Sequence, residues 1–429
     1  MTQALRRAAG TVVNEIATRL RDPATVLAHT QAALWSPQSL VRGYPSIALL
    51  YAELGHFDSD LRQVAHRYLE LAARHPETDP LAGQLDGLCA VAAALRVAAH
   101  HESDYATLLA RLDPHVIAGA RRLIALREAS RRAGEPTHAV VIDCLNGLAG
   151  LGRHLLGRST AGPAGVLLEV LSSLSSLREP ISWHGVRVPG WWYHRTPLLP
   201  ESDSGVYRYG AAMFGLSHGL AGPLALLALA WKAGFRVPGQ YDAVHAMTEW
   251  LLQQRQRDDA GWYWPALIPL SHLNNPAMDR PQPATVSWCH GSWGTARAVI
   301  LAGEAFARPD WTAAAAEVVY AVLARCQPDW AIRDISLCHG WAAVLHQLCR
   351  FGWSIPHPDL AVAADDIARR LIDNFRDDAP FGYRYRHSSG ETSDLPGMLE
   401  GAAGVALALH AYLTGRPPAS GWDSILLLS

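Results

Sequence analysis

Gly215-Leu216-Ser217-His218-Gly219-Leu220-Ala221-Gly222, with the apolar run Leu224 to Trp231 behind it, is one of seven copies of a single pattern in this 429-residue chain. Each copy has an anchoring glycine, a small residue three positions on, and then an apolar stretch of helical period. The anchors are Gly43, Gly87, Gly147, Gly219, Gly291, Gly340 and Gly401, and the small residues are Ser46, Ala90, Gly150, Gly222, Gly294, Ala343 and Gly404. Several apolar runs end at a glycine suited to a left-handed cap: Gly55, Gly303, Gly352 and Gly415. Amphipathic segments with charged faces lie between them, at Ser59 to Arg74, Tyr105 to Ala129, Trp311 to Cys326 and Asp359 to Phe375. Anchors stand 44 to 72 residues apart, enough for a helical pair in each repeat. The expected fold is therefore all-α: an α/α toroid of seven helical hairpins, an (α/α)7 barrel with the apolar helices inside, in one domain over 1–429. Small residues after the anchors should permit close helix contact near the barrel mouth. The inner-helix N-termini should then gather at one rim and present unpaired N–H groups there.

One stretch breaks the helical pattern. Residues 180–209 hold Ile181-Ser-Trp183-His-Gly-Val186-Arg-Val188, then Trp191-Trp192-Tyr193, and an acidic turn at Glu201 to Asp203. Alternation and aromatics predict a small β-containing insertion. Its aromatics serve either as an exposed peptide-binding face or as packing onto the barrel.

A net charge of −2 gives no reason to expect a phosphate-backbone partner, and nucleic acid is disfavoured. Lys232 is the one lysine among 37 basic residues, so lysine-based covalent catalysis would fall to it alone. The first twenty residues carry Arg6, Arg7, Glu15 and Arg19 and do not read as a signal peptide. No apolar run is long enough to span a bilayer, and a cytoplasmic location is expected. Six cysteines in so long a chain are not a disulfide framework. Cys89, Cys144, Cys326 and Cys349 read as small core residues.

Cys289 and Cys338 stand apart. Cys289-His290-Gly291 and Cys338-His339-Gly340 repeat one tripeptide in consecutive copies, which the barrel symmetry would place side by side. Two thiolates with one or two imidazoles are zinc ligands by type, brought together by the fold and not by finger-like spacing. With Cys289, Cys338 and His339 as ligands one coordination position stays open, as in a catalytic site; with His290 added the site closes and becomes structural. In the fourth copy His218 occupies the histidine slot without a cysteine before it. It is a candidate general acid or base, the alternative being a structural histidine. Asp143, four before its anchor where other copies have Ser or Gly, could orient His218 or cap the inner helix.

Taken together, the seven glycine motifs, His218-Gly-Leu-Ala-Gly-Pro223, Trp288-Cys-His-Gly291, Cys338-His-Gly340 and Leu399-Glu-Gly401 resemble the lanthionine synthetase C-like cyclases, over essentially the whole chain. The resemblance implies a stand-alone lanthipeptide cyclase on an α/α toroid. It implies zinc at Cys289, Cys338 and His339, with His218 and Asp143 as acid–base residues. The implied reaction is Michael addition of peptide cysteines to dehydroalanine or dehydrobutyrine, giving lanthionine or methyllanthionine thioether rings. The partner would be a dehydrated precursor peptide, leader and core, made by a separate dehydratase; a transporter complex is a further partner consistent with the family. Two positions depart from the pattern: His290 follows Cys289 where members carry Tyr, and Thr285 to Ser287 stand where some carry Arg, the nearest upstream arginine being Arg280. The competing readings are a relative that binds glutathione and adds it to electrophiles, and a noncatalytic peptide-binding module with a closed zinc.

Overall fold

The structure is a computed structural model that describes residues 3–75, 83–158, 160–194, 204–273, 282–325, 330–387 and 389–429. The chain forms two compact units, Met1–His115 with Ala331–Asp423, and Val116–Trp330 with Ser424–Ser429. The first carries the anchors Gly43, Gly87, Gly340 and Gly401, and the second carries Gly147, Gly219 and Gly291.

In the first unit the apolar helices Trp341–Ser354, Ala402–Thr414, Tyr44–Leu54 and Gly87–Ala98 pack one on the next in that order. All eleven residues of Tyr44–Leu54 are buried, which its lack of a polar face requires. Ser59–Arg74 and Pro358–Asp373 are amphipathic instead, burying Val64, Ala65, Tyr68, Leu69 and Ala72 in one case and Leu360, Ala364, Ile367, Ala368 and Leu371 in the other. Both lie against the apolar helices. The outer partner of Ala402–Thr414 is Gln3–Arg19, so the seventh hairpin is completed from the opposite end of the chain. In the second unit Leu148–Leu156, Ala221–Lys232 and Ser292–Ala305 pack in sequence, faced by Ala161–Ser175, Gln240–Gln253 and Pro309–Leu323. Cys326, the expected end of that last segment, lies outside the described residues.

The β structure is spread more widely than a single insertion. Ile181–Trp183 pairs antiparallel with Val186–Val188 through a turn at His184 and Gly185, both left-handed at φ 48° and 76°, as a two-residue hairpin requires. Further two-stranded ladders join Ala211–Met213 to Leu267–Pro269, Gln256–Asp258 to Gly261–Tyr263, and Tyr385–Arg386 to Thr392–Ser393. Trp191, Trp192 and Tyr193 are buried, and Trp192 packs with Val188, Ala212 and Leu270. These aromatics are packing residues, not an exposed peptide-binding face. The acidic turn Glu201 to Asp203 lies outside the described residues.

The anchoring glycines are required by the loop in front of the helix. A Cβ on Gly147, Gly219, Gly291, Gly340 or Gly401 would overlap the backbone of the residues four to six positions earlier. The loop before each helix therefore folds back over its own anchor. The second small position is small chiefly for the same reason: a Cβ on Gly222, Gly294 or Gly404 would press on the carbonyl six residues before it, and at Gly222 it would also touch Ala149 of the Leu148–Leu156 helix. The same fold-back consumes the free N–H groups. Trp341, Ala342 and Ala343 donate to the carbonyls of Asp334, Ile335 and Ser336, and Ala402, Ala403 and Gly404 to those of Leu395, Pro396 and Gly397. Leu220 and Ala221 do likewise with Met213 and Phe214. In these copies the first turn is thus satisfied internally and does not offer the anion-binding rim expected from bare helix ends.

Candidate metal and acid–base site

Four of the fold-back loops also tether themselves to the next copy through one backbone carbonyl, two positions before that copy's anchor. The Leu40 N–H donates to the Leu85 carbonyl, the Cys144 N–H to Ser217, the Ser217 N–H to Cys289, and both Leu337 and Cys338 N–H groups to Leu399. The position in which cysteine appears in two copies is thus a backbone docking point within each unit. Ser217 adds a second bond, its hydroxyl 3.0 Å from the Cys289 carbonyl oxygen. Trp288, beside Cys289, is held from the C-terminal segment: its Nε1–H donates to the Leu426 carbonyl at 2.9 Å.

Four positions before the anchor sits the residue that caps the loop. The Ser287 Oγ accepts the His290 N–H at 3.3 Å, and the Ser336 Oγ accepts the His339 N–H at 3.2 Å. Asp143 occupies the same slot, and its Oδ1 accepts the N–H groups of Asn146 and Gly147 at 2.7 and 2.8 Å. A carboxylate has a second oxygen where serine has none. That Oδ2 lies 2.7 Å from Nδ1 of His218. Asp143 thus makes both sets of contacts, to its own loop and to His218, at once. Asp143 is fully buried and the His218 side chain is 15% exposed. Since a carboxylate only accepts, Nδ1 carries the proton and Nε2 is left for exchange.

Cys289, Cys338 and His339 form a group that could hold a metal ion, one candidate ligand atom of each lying within 4.8 Å of the others. Two sulfurs and an imidazole nitrogen are a donor set suited to zinc. His290 is not a member of that group. Its ring lies nearly parallel to that of His218, 5.9 Å between centroids and 17° between planes, with Nδ1 3.5 Å from the Ser217 hydroxyl.

Two residues beside His339 were missed by sequence reasoning. Asp334 Oδ2 lies 3.2 Å from His339 Nε2, and the Tyr385 hydroxyl lies 3.5 Å from the same nitrogen. Burial pushes the Asp334 carboxyl up, but the bonds and charge of His339 and the bonds of Ser336 outweigh it and hold the group below the usual carboxylate range. Asp334 had a signal, as the lone carboxylate among the residues six before each anchor. Tyr385 had none, lying 45 residues past that anchor on a separate hairpin.

The remaining described cysteines are unsuited to chemistry at this site. Cys89 is buried, burial raises the Cys144 thiol well above its usual value, and it pushes Cys349 up to about 12. Arg280, the nearest upstream arginine to Cys289, lies outside the described residues.

Comparison with known proteins sets this geometry in context. A solved structure titled nisin cyclase superposes with a TM-score of 0.75 at 17% sequence identity, covering 100% of this chain and 98% of the other. The likeness establishes an all-α fold, the α/α toroid. No curated protein sequence matches the chain. Residues 35–427 match the family model described as lanthionine synthetase C-like protein, a span that takes in all seven anchors and every site residue above. The chain belongs to the lanthionine synthetase C-like family.

Proposed function

We propose that this protein is a lanthipeptide cyclase that closes thioether rings by adding peptide cysteine thiols to dehydroalanine or dehydrobutyrine. The observation that carries the reading is the gathering of Cys289, Cys338 and His339 into a three-donor group in a chain of this family. A zinc ion held by these three residues would keep one position open and, when bound, would lower the pKa of an incoming thiol.

The rest of the chemistry falls to His218 and Asp143. Addition forms a bond from cysteine sulfur to the alkene β-carbon, breaks the carbon–carbon π bond and leaves an enolate that needs a proton at the α-carbon. The proton lost by the thiol balances the one gained there, so the peptide closes without change in mass. His218 is suited to deliver it from Nε2, because Asp143 engages the Nδ1–H and stabilises the imidazolium that must form between turnovers. His290 lies nearly parallel to the His218 ring, 5.9 Å between centroids.

The substrate would be a dehydrated precursor peptide supplied by a separate dehydratase, with a transporter complex as a further partner. Among the described residues no helix is long and apolar enough to cross a membrane. Among the described residues Cys89, Cys144, Cys289, Cys338 and Cys349 take part in no disulfide. Incubation with a dehydrated peptide tests the reading: its cysteines should become resistant to alkylation with no mass change. A glutathione adduct formed in preference to ring closure would support the glutathione-transferring alternative, and absence of both reactions a noncatalytic module.

A further inference from the structure

We propose that Asp334 is a positioning residue for the metal, taking the Nε2–H of His339 and so committing Nδ1 to the ion. The inference rests on the zinc reading above and concerns how this chain prepares one ligand for it.

The carboxylate is fixed before the histidine is. Its side chain is 3% exposed, its Oδ1 accepts the Ser336 N–H at 2.6 Å, and its Oδ2 lies 3.2 Å from His339 Nε2. Ser336 in turn accepts the His339 N–H at 3.2 Å, so backbone and ring of His339 are both gripped by one short loop. Gly340 makes the room, since a Cβ there would overlap Asp334 Oδ1. A carboxylate buried this way can accept but not donate, which makes Nε2 the protonated nitrogen and Nδ1 the one with a free lone pair.

Comparison across copies supports the assignment. Six before the anchors stand Pro37, Leu81, Val141, Met213, Thr285, Asp334 and Leu395, so the carboxylate accompanies His339 alone. In the copy of His290, which is outside the metal group, Thr285 takes that place and its hydroxyl turns 3.0 Å away to Ser287. His218 and His339 share one slot in the repeat yet are held by opposite nitrogens, Nδ1 by Asp143 and Nε2 by Asp334. The nitrogen that each carboxylate takes decides which nitrogen is left to work. For His218 that is Nε2, for proton transfer, and for His339 it is Nδ1, for ligation.

The test is a zinc-affinity series on the full chain by chelator competition, with a second readout on the wild type. Asp334→Ala should weaken zinc roughly 10–100-fold. Asp334→Asn, which keeps an acceptor oxygen and the loop bond to Ser336, should fall between Asp334→Ala and wild type, and Tyr385→Phe should stay near wild type. A long-range nitrogen–proton spectrum of histidine-labelled protein, assigned by loss of signals in His339→Ala, should show His339 protonated at Nε2 and metal-bound at Nδ1. Wild-type affinity in folded Asp334→Ala, or a metal-bound Nε2, would overturn the inference while leaving the zinc reading intact. A wild-type protein without zinc, unaltered in Cys338→Ser, would overturn both.

Discussion

Asp143 divides its two oxygens between Nδ1 of His218 and the start of the Leu148–Leu156 helix. Where Ser287 and Ser336 spend their one oxygen on a loop N–H, the carboxylate does that and reaches a histidine as well.

Asp143→Ser should therefore separate the two jobs. It restores the residue found in the sister copies, so thermal unfolding should move by less than ~1 kcal/mol. The rate of ring closure should drop by about 10²–10⁴, the range for losing acid–base assistance. Asp143→Ala removes the cap too and should cost a further ~0.5–2 kcal/mol. A Ser variant with full activity would leave Asp143 as a cap only.

His218→Ala should retain zinc while ring closure falls by a similar ~10²–10⁴. Metal analysis alongside a time course of thiol protection separates this from Cys289→Ala, which should lose both metal and turnover. Retained activity in His218→Ala would remove its assigned role.

Acid sensitivity should trace to Asp423. This fully buried carboxylate meets His346 Nε2 at 2.8 Å and the guanidinium of Arg350. Burial pushes its carboxyl up, but the charge of Arg350 and the bond from His346 outweigh that and hold it well below the usual range. A depressed carboxyl pKa contributes stability that is whole above the unfolded value of ~3.9 and is lost as pH falls through the folded one. Burial also lowers His346, which adds a loss of stability beginning below about pH 6.5, the unfolded histidine value. Urea midpoints should thus decline from near-neutral pH downward. Asp423→Ala, by stranding Arg350, should cost about 3–5 kcal/mol at pH 7 and flatten the acid limb. An unchanged slope in that variant would place the sensitivity elsewhere.

Two glycines in apolar helices should respond oppositely to alanine. Gly404 lies over the Met398 carbonyl, and Gly404→Ala should destabilise by more than ~1 kcal/mol because backbone must move. Gly352 lies inside the Trp341–Ser354 helix and not at the left-handed cap expected there, and with open space around its Cβ position it should gain up to ~1 kcal/mol from helix propensity. Equal shifts in melting temperature would contradict the fold-back account.

Much of this arrangement was legible because a repeat aligns its own copies. The glycine register located the apolar helices to within a few residues, as with the run read from Ile47 and the helix Tyr44–Leu54. It also put Cys289 and Cys338 in one slot of the repeat, with His339 in the slot beside it. What the register could not carry was anything fixed by three-dimensional fold-back. The small residues Gly222, Gly294 and Gly404 were read as helix contacts, yet the tightest neighbour of each is a carbonyl six positions earlier in its own loop. Trp191 to Tyr193 stayed open between surface and packing because sequence alternation does not say what covers it. Gln3–Arg19 could not be paired with Ala402–Thr414 from local pattern, since the two lie at opposite ends of the chain.

In four copies the tether from a loop to the next copy reads only a backbone carbonyl, whatever side chain sits at that residue. Leu85, Ser217, Cys289 and Leu399 all serve as the acceptor, although they share no chemistry. Architecture and reactivity are therefore written in separate atoms of the same residue. A thiol can be installed at such a seat, or withdrawn from it, without recutting the frame, so the ring offers evolution a row of interchangeable sockets. In this chain one of them, Cys289, came to hold sulfur.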